Sequence, residues 1–439
     1  MTTRRSLAAL EPLQHMFESP RFASSLTQVI LVLAFSTHLI RSTMGWAGLI
    51  GALVTAVVLA ILSMIARRES IEWHGLLPIS ILLFLGWSVL SLAWSNYPSS
   101  TAIGLGYQLA FAFLGIYIAL VRDTFQVTRA VGDVLRVLLG LSLALEILSG
   151  LLLDIPIAFL DIRGNIAFLG PIEGIFGSRN TLALVALIAV VTFAIEWRAK
   201  SVRRSVAIAS TVLAAICLLL SRSPVISVVA AAVGVAALAL FWLRRTPAEK
   251  RWMLQIGLAS AALVSAVVAW VSRTRILAAL HAGSEFDVRY ELWREMWQLI
   301  KLHPLEGWGW AGFWPKAASP YGWLDYTTKQ AHSSGLNAFF DVYLQLGLVG
   351  LIIFLALVTL AFVRSWLLAS DKRPLVYVWP ALILVILLAT SAAESTILVE
   401  FGWVLFIICA VKAAQGMSWR NALAKKPHPA SRPDVDPSR

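Results

Sequence analysis

The chain has 439 residues, of which 59% are hydrophobic and 14% charged, with a formal net charge of +12 and a mean hydropathy of +0.78. That balance excludes a soluble globule, and the positive charge follows the turns between apolar runs rather than forming the continuous basic face that nucleic acid needs. Two cysteines, Cys217 and Cys409, both inside apolar runs, exclude a disulfide framework.

In chain order, apolar runs near the ~20-residue length that crosses a bilayer are predicted over 25–41, 44–66, 75–94, 102–121, 132–153, 180–196, 205–221, 223–243 and 253–271. After a long polar interval they resume over 335–363, 375–393 and 396–414. The part around "LLLSRSPVISVV" reads either as one broken hairpin or as two short spans. The fold class is therefore all-α, a polytopic membrane protein with about 12 transmembrane helices. Placing the N-terminus in the cytoplasm puts 25 of the 36 Lys and Arg residues inside and 11 outside, so both termini are expected inside. Residues 1–23 are mixed and polar, without a cleavable leader pattern.

These spans divide the chain into a cytoplasmic segment 1–23, nine helices over 24–271, an extracytoplasmic loop 272–334, three helices over 335–414 and a disordered cytoplasmic tail 415–439. The loop is too long for a simple connection. Within it, "SEFDVRYELWREMWQLIKLHP" predicts an amphipathic helix with Trp293, Met296, Trp297 and Ile300 on one face. The Gly/Trp stretch "LEGWGWAGFWP" that follows suits an interfacial aromatic belt or stacking on a sugar ring. A second outer segment, about 154–179, is Gly-rich and semi-apolar.

The stretch "QAHSSGLNAFFDVYLQLGLVG" (330–350) opens polar and turns apolar, yet carries Asn337, Asp341 and Gln345 at every fourth position and His332 ahead of them. One helix face thus collects the polar groups, which in a membrane helix point into the bundle or a wet cavity. A helix N-terminus just after His332 is expected to keep the imidazole neutral, as a general base requires; helix capping and interhelical hydrogen bonding are the competing reading. Three arginines, Arg179, Arg222 and Arg289, fall on the outer side against the positive-inside bias. Their forked guanidinium groups suit phosphate oxygens. Glu394 and Glu400 read as helix-pairing groups. No P-loop, HExxH, GxSxG or paired-Asp pattern is present, so neither a metal nor a cofactor is expected.

With those residues in view, the chain resembles the O-antigen ligase/polymerase superfamily of bacterial membrane glycosyltransferases from about residue 75 to 410. The landmarks are "GIFGSRNTLA", "SRSPVISVVAAAVG", "RYELWREMWQLIKLHPLEGWGWAGF" and "AHSSGLNAFFDVYLQLGLVGLIIF". The resemblance implies a GT-C-like fold in the bacterial cytoplasmic membrane with its site on the extracytoplasmic side. It implies Arg222 and Arg289 as ligands of a lipid-linked diphosphate, His332 as the catalytic histidine and Asn180 as part of the cavity wall. Arg179, Asp341 and Gln345 are supporting candidates; Gln345 stands where the family often has a carboxylate, and Asp341 is the expected substitute. The implied reaction is an inverting, metal-independent transfer of a glycan from a polyprenyl-diphosphate carrier to an acceptor hydroxyl on a lipid or glycan, with membrane lipids as the surroundings and no nucleic acid. A polysaccharide polymerase of the same superfamily is the alternative. A secondary transporter is the rival of another class, and the absence of a detectable repeat and of midplane polar residues weighs against it.

Overall fold

The computed structural model describes residues 14–69, 78–279, 283–316 and 318–416. The expectations for residues 1–13, for the beginning of the 75–94 run and for the tail from 417 onward lie outside the described residues. No strand occurs among the described residues, and every predicted apolar run carries a helix. These are α1 Pro20–Phe35, α2 Thr37–Ala66, α3 Ile79–Leu90, α4 Pro98–Val121, α5 Thr124–Ile147, α6 Arg179–Arg198, α7 Arg204–Leu220, α8 Pro224–Arg245 and α9 Ala248–Val271. The long loop holds α10 Arg273–Ala279, α11 Gly283–Ile300 and α12 Tyr321–Thr328, before α13 Ala338–Asp371, α14 Val378–Thr390 and α15 Glu400–Gly416. Among the described residues seven helices are long and apolar enough to cross a bilayer, namely α2, α4, α5 with its continuation to Leu153, α6, α8, α9 and α13. The protein is an all-α polytopic membrane protein.

Local chemistry sets the helix starts. Asp123 and Gln126 form a reciprocal capping box on α5. Ser178 accepts from the Thr181 amide at the head of α6. Ser223 caps α8 just before Pro224 at its first position, which divides "LLLSRSPVISVV" into two helices.

Two helices turn at a left-handed glycine, one beside the expected division at 41–44 and one inside a run that hydropathy carries straight through. The 25–41 run stops at Phe35, and α2 then turns at Gly45 (φ 70°), so that 37–44 forms a short piece at its head. Helix α13 is broken at Gly347 (φ 67°, ψ −170°), a left-handed backbone that glycine adopts without penalty. The chain from 304 to 309 inserts there. The Leu348 amide donates to the Pro304 carbonyl at 2.9 Å, and the Trp308 and Gly309 amides donate to the Leu344 and Gln345 carbonyls at 3.0 and 2.8 Å. A Cβ on Gly347 would collide with the Leu305 carbonyl oxygen.

The main core joins α1–α8 to α13–α15 around fully buried Tyr117, Trp379 and Trp403. Between such helices, packing and hydrogen bonds rather than water exclusion hold the contacts. Trp379 donates to Thr192 Oγ1 at 3.0 Å and Trp403 to the Gln108 carbonyl at 3.2 Å. A second, smaller core sits under the loop helices, built from Leu292, Met296, Ile300, Trp314, Tyr321 and Leu344. There, burial of each large apolar side chain contributes about 1.5–3 kcal/mol.

Candidate functional site

The loop end of the bundle is organised by α11. Arg289 occupies the same buried stripe as Leu292, Met296, Leu299 and Ile300, so the spacing that seats the helix also drives one guanidinium inward. Trp293 Nε1 locks the helix by donating to the Gly335 carbonyl at 2.9 Å. Arg289 is only 8% exposed. It donates through Nε to the Ala393 carbonyl (3.2 Å), through Nη1 to the Glu285 carbonyl (3.1 Å) and through Nη2 to Glu394 Oε1 (2.9 Å).

Glu394 lies in the turn between α14 and α15 and collects the network. The same oxygen accepts from Asn180 Nδ2 at 2.9 Å, and Asn180 Oδ1 accepts from the Ser223 hydroxyl at 2.7 Å. Burial raises the Glu394 pKa, and the Arg289 charge followed by the Asn180 hydrogen bond opposes that rise. Heads of α6 and α8, the loop helix α11 and the α14–α15 turn are thus tied by four side chains.

Asn180, Arg289 and Glu394 line a polar cavity of about 560 Å³, with Arg41 and His38 of α2, Thr181 of α6, Ser333, Ser334 and Glu400. Arg41 Nη1 donates to Glu400 Oε1 at 3.2 Å, and Tyr107 donates to the same oxygen at 3.0 Å. Beside the cavity runs an apolar groove of about 730 Å³ between α2 and α4, walled by Trp46, Ile50, Val54, Ile103, Phe111 and Trp310. Gly312, Phe313, Val399 and Glu400 line both, so the two spaces adjoin. Among the described residues no group of three or more His, Cys, Asp or Glu side chains is placed to hold a metal ion.

Of the residues singled out from the sequence, Arg289 and Asn180 meet through Glu394. Arg179 pairs with Glu285, whose other carboxylate oxygen lies 3.6 Å from Arg289 Nη1, and it also lines a neighbouring hollow with Asp161, Arg163 and Glu173. Arg222 is exposed in the α7–α8 turn with left-handed backbone (φ 47°). Its neighbour Ser223, not Arg222 itself, joins the network.

His332 is 7% exposed and sits beside the cavity rather than lining it. Its Nε2 lies 3.0 Å from Thr328 Oγ1, and its backbone amide donates to Asp325 Oδ1 at 2.8 Å. Thr328 already donates its one hydroxyl proton to the Leu324 carbonyl at 2.7 Å. The proton of the neutral ring therefore belongs on Nε2, which leaves Nδ1 as the basic nitrogen. Burial lowers the His332 pKa, and Asp325 partly opposes this. The expected cause was a helix N-terminus, but α13 begins six residues later at Ala338, so desolvation has the effect assigned to the dipole.

The polar stripe on α13 has a structural answer. Asn337 caps the helix, accepting from the Phe339 and Phe340 amides. Gln345 Oε1 accepts from the Ala311 and Gly312 amides at 2.7 and 3.0 Å, and its Nε2 donates to Asp341 Oδ1 at 2.7 Å. Asp341 also accepts from Trp314 Nε1 (2.8 Å) and the Gly335 amide (3.0 Å). The carboxylate beside His332 is Asp325, whereas Asp341 holds the Gly/Trp segment. Within that segment Trp310 and Trp314 are 0% and 4% exposed, whereas Trp308 and Phe313 are half-buried and Phe313 lines both the groove and the cavity.

Sequence reading missed Arg41, Glu394 and Glu400. The last two stood out only as carboxylates six residues apart between two apolar helices, a pattern shared by ordinary helix pairing. Residues 207–355 match the family model for O-antigen ligase, which bears out the resemblance over α7 to the first part of α13. No curated protein matches the chain.

Proposed function

We propose, from the premise that residues 207–355 form an O-antigen ligase domain, that the protein transfers a glycan from a polyprenyl-diphosphate carrier to an acceptor hydroxyl at the outer face of the bacterial cytoplasmic membrane. The observation that carries this is an apolar groove lying directly against the arginine-bearing cavity, with four lining residues in common. Such a paired space fits an amphiphile with a long hydrocarbon tail and an anionic head. In this reading the termini are cytoplasmic and loop 272–334 is extracytoplasmic.

The tail lies between α2 and α4, and the diphosphate enters the cavity near Arg289. The acceptor oxygen attacks the anomeric carbon on the face opposite the leaving group and inverts it. The carbon–oxygen bond to the diphosphate breaks with its electron pair, and guanidinium groups stabilise the departing charge. His332 Nδ1 takes the acceptor's proton after the ring turns from Thr328 toward the cavity edge at Ser333. Arg222, Arg179, Asn180, Asp341 and Gln345 support this site: Asn180 aligns Glu394, Asp341 and Gln345 hold the covering segment, Arg179 holds Glu285 beside Arg289, and the exposed Arg222 is a further cation for the diphosphate. Loop helices α11 and α12 keep water, a competing acceptor, from the anomeric carbon.

The test is transfer by purified protein from a fluorescent polyprenyl-diphosphate-linked oligosaccharide to candidate lipid and glycan acceptors. Wild type is expected to form product, and Arg289→Ala and His332→Ala to lose it while staying folded. Full turnover in Arg289→Ala would remove the diphosphate role, and solute flux without any transfer would favour the transporter.

A further inference from the structure

We infer that Arg41 binds the tail-side phosphate of the donor, with Glu400 as the partner that holds it while the site is empty. This rests on the reading of the cavity as a polyprenyl-diphosphate site. In such a donor the phosphate is bonded directly to the hydrocarbon tail, so it must lie where the apolar groove ends and the polar cavity begins. Arg41 stands at that boundary. Its guanidinium is 4.9 Å from the Trp46 ring centroid and 5.4 Å from that of Phe313, and both rings wall the groove.

The donor inventory separates Arg41 from Arg289. A guanidinium carries five N–H groups. Arg289 commits Nε and both terminal nitrogens to protein acceptors. Among the described residues Arg41 donates a single hydrogen bond, to Glu400. It therefore retains most of its fork for a bidentate anion, while the two rings fix its plane through cation–π contact.

Glu400 is held for the pairing by its backbone, which is left-handed (φ 50°) at the head of α15. A non-glycine residue kept in that region indicates that the surrounding structure imposes the position. Tyr107 shares the same carboxylate oxygen, so Glu400 keeps a donor when Arg41 turns to phosphate. The exchange needs no bond making: one guanidinium hydrogen bond passes from carboxylate to phosphate. Part-buried with Glu400, Arg41 is also spared the cost of an unpartnered charge while the site is empty.

The test uses the full chain in nanodiscs with three probes of equal chain length: polyprenyl diphosphate, polyprenyl monophosphate and polyprenol. Wild type should bind the two phosphates more tightly than the alcohol. Arg41→Gln should weaken both phosphates by roughly 10–100-fold, as loss of a charge-assisted hydrogen-bonding fork implies, and leave polyprenol binding unchanged. Undiminished phosphate binding by Arg41→Gln overturns the assignment of Arg41. Equal binding of all three probes by wild type overturns the donor reading itself, so the two failures are distinguishable. If Arg41→Gln does not fold, Glu400→Gln decides: with the competing carboxylate gone it should bind phosphate as well as wild type or better, and weaker binding refutes the exchange.

Discussion

Removing Glu394 strands a charge that cannot be neutralised. Arg289 is 8% exposed, and guanidinium does not deprotonate in proteins. Breaking a buried pair from one side costs about 3–5 kcal/mol. Two carbonyls and Glu285, 3.6 Å from Nη1, remain near Arg289, so the low end, about 3 kcal/mol, is expected for Glu394→Ala. Arg289→Ala is milder, because burial already favours the neutral form of Glu394 and Asn180 still donates to it. The sign follows: a carboxyl whose folded pKa is raised contributes most when protonated, so acidification toward the unfolded carboxylate range rescues Arg289→Ala and not Glu394→Ala. The double variant should be more stable than the two single losses summed, by at least about 1 kcal/mol. The assay is thermal unfolding in detergent across pH, read by intrinsic tryptophan fluorescence from buried Trp310, Trp379 and Trp403. Glu394→Ala is expected to lower the transition by roughly 3–6 °C. A transition within 1 °C of wild type, or additive single losses, would refute the coupling.

For His332, acid should remove turnover only below the ordinary histidine value, because its pKa is lowered by burial and the protonated ring accepts nothing. Asp325→Asn removes an opposing charge and should move that inflection lower still; a pH–rate profile displaced upward would contradict the assignment. Gln345→Leu orphans the Ala311 and Gly312 amides, at about 1–3 kcal/mol each, and hydrogen exchange over 307–314 should accelerate at least tenfold while α4 stays protected. With thiol labelling of intact cells, a cysteine in place of Tyr326, which is 82% exposed, should react and one in place of Ser201 should not; the reverse pattern would invert the topology.

Hydropathy placed the helices because burial in lipid acts on residue averages. The 205–221 and 223–243 runs became Arg204–Leu220 and Pro224–Arg245, and the Ser223–Pro224 pair supplied the division between them. What hydropathy could not see was backbone sign: Gly347 is silent in an average, yet it turns a helix. The inward face of α11 was legible from its spacing, including the position of Arg289. The partners of Asp341 and Gln345 were not, since Trp314, Ala311 and Gly312 reach them from about thirty residues upstream. Periodicity identifies a polar face without naming what meets it. Glu394 and Arg41 stayed hidden for the same reason: their value lies in contacts with Arg289 and Glu400, which are 105 and 359 residues away.

The split in α13 bears on how the molecule can be taken apart. Amides and carbonyls on both sides of Gly347 are shared with residues 304–309, so the soluble-looking loop borrows main-chain partners from a membrane helix. An isolated fragment spanning the loop helices would leave those groups facing water or one another and should not reach its native shape by itself. The same stitching makes the loop a fixed roof. On the proposed function, the donor would then enter sideways, along the groove between α2 and α4.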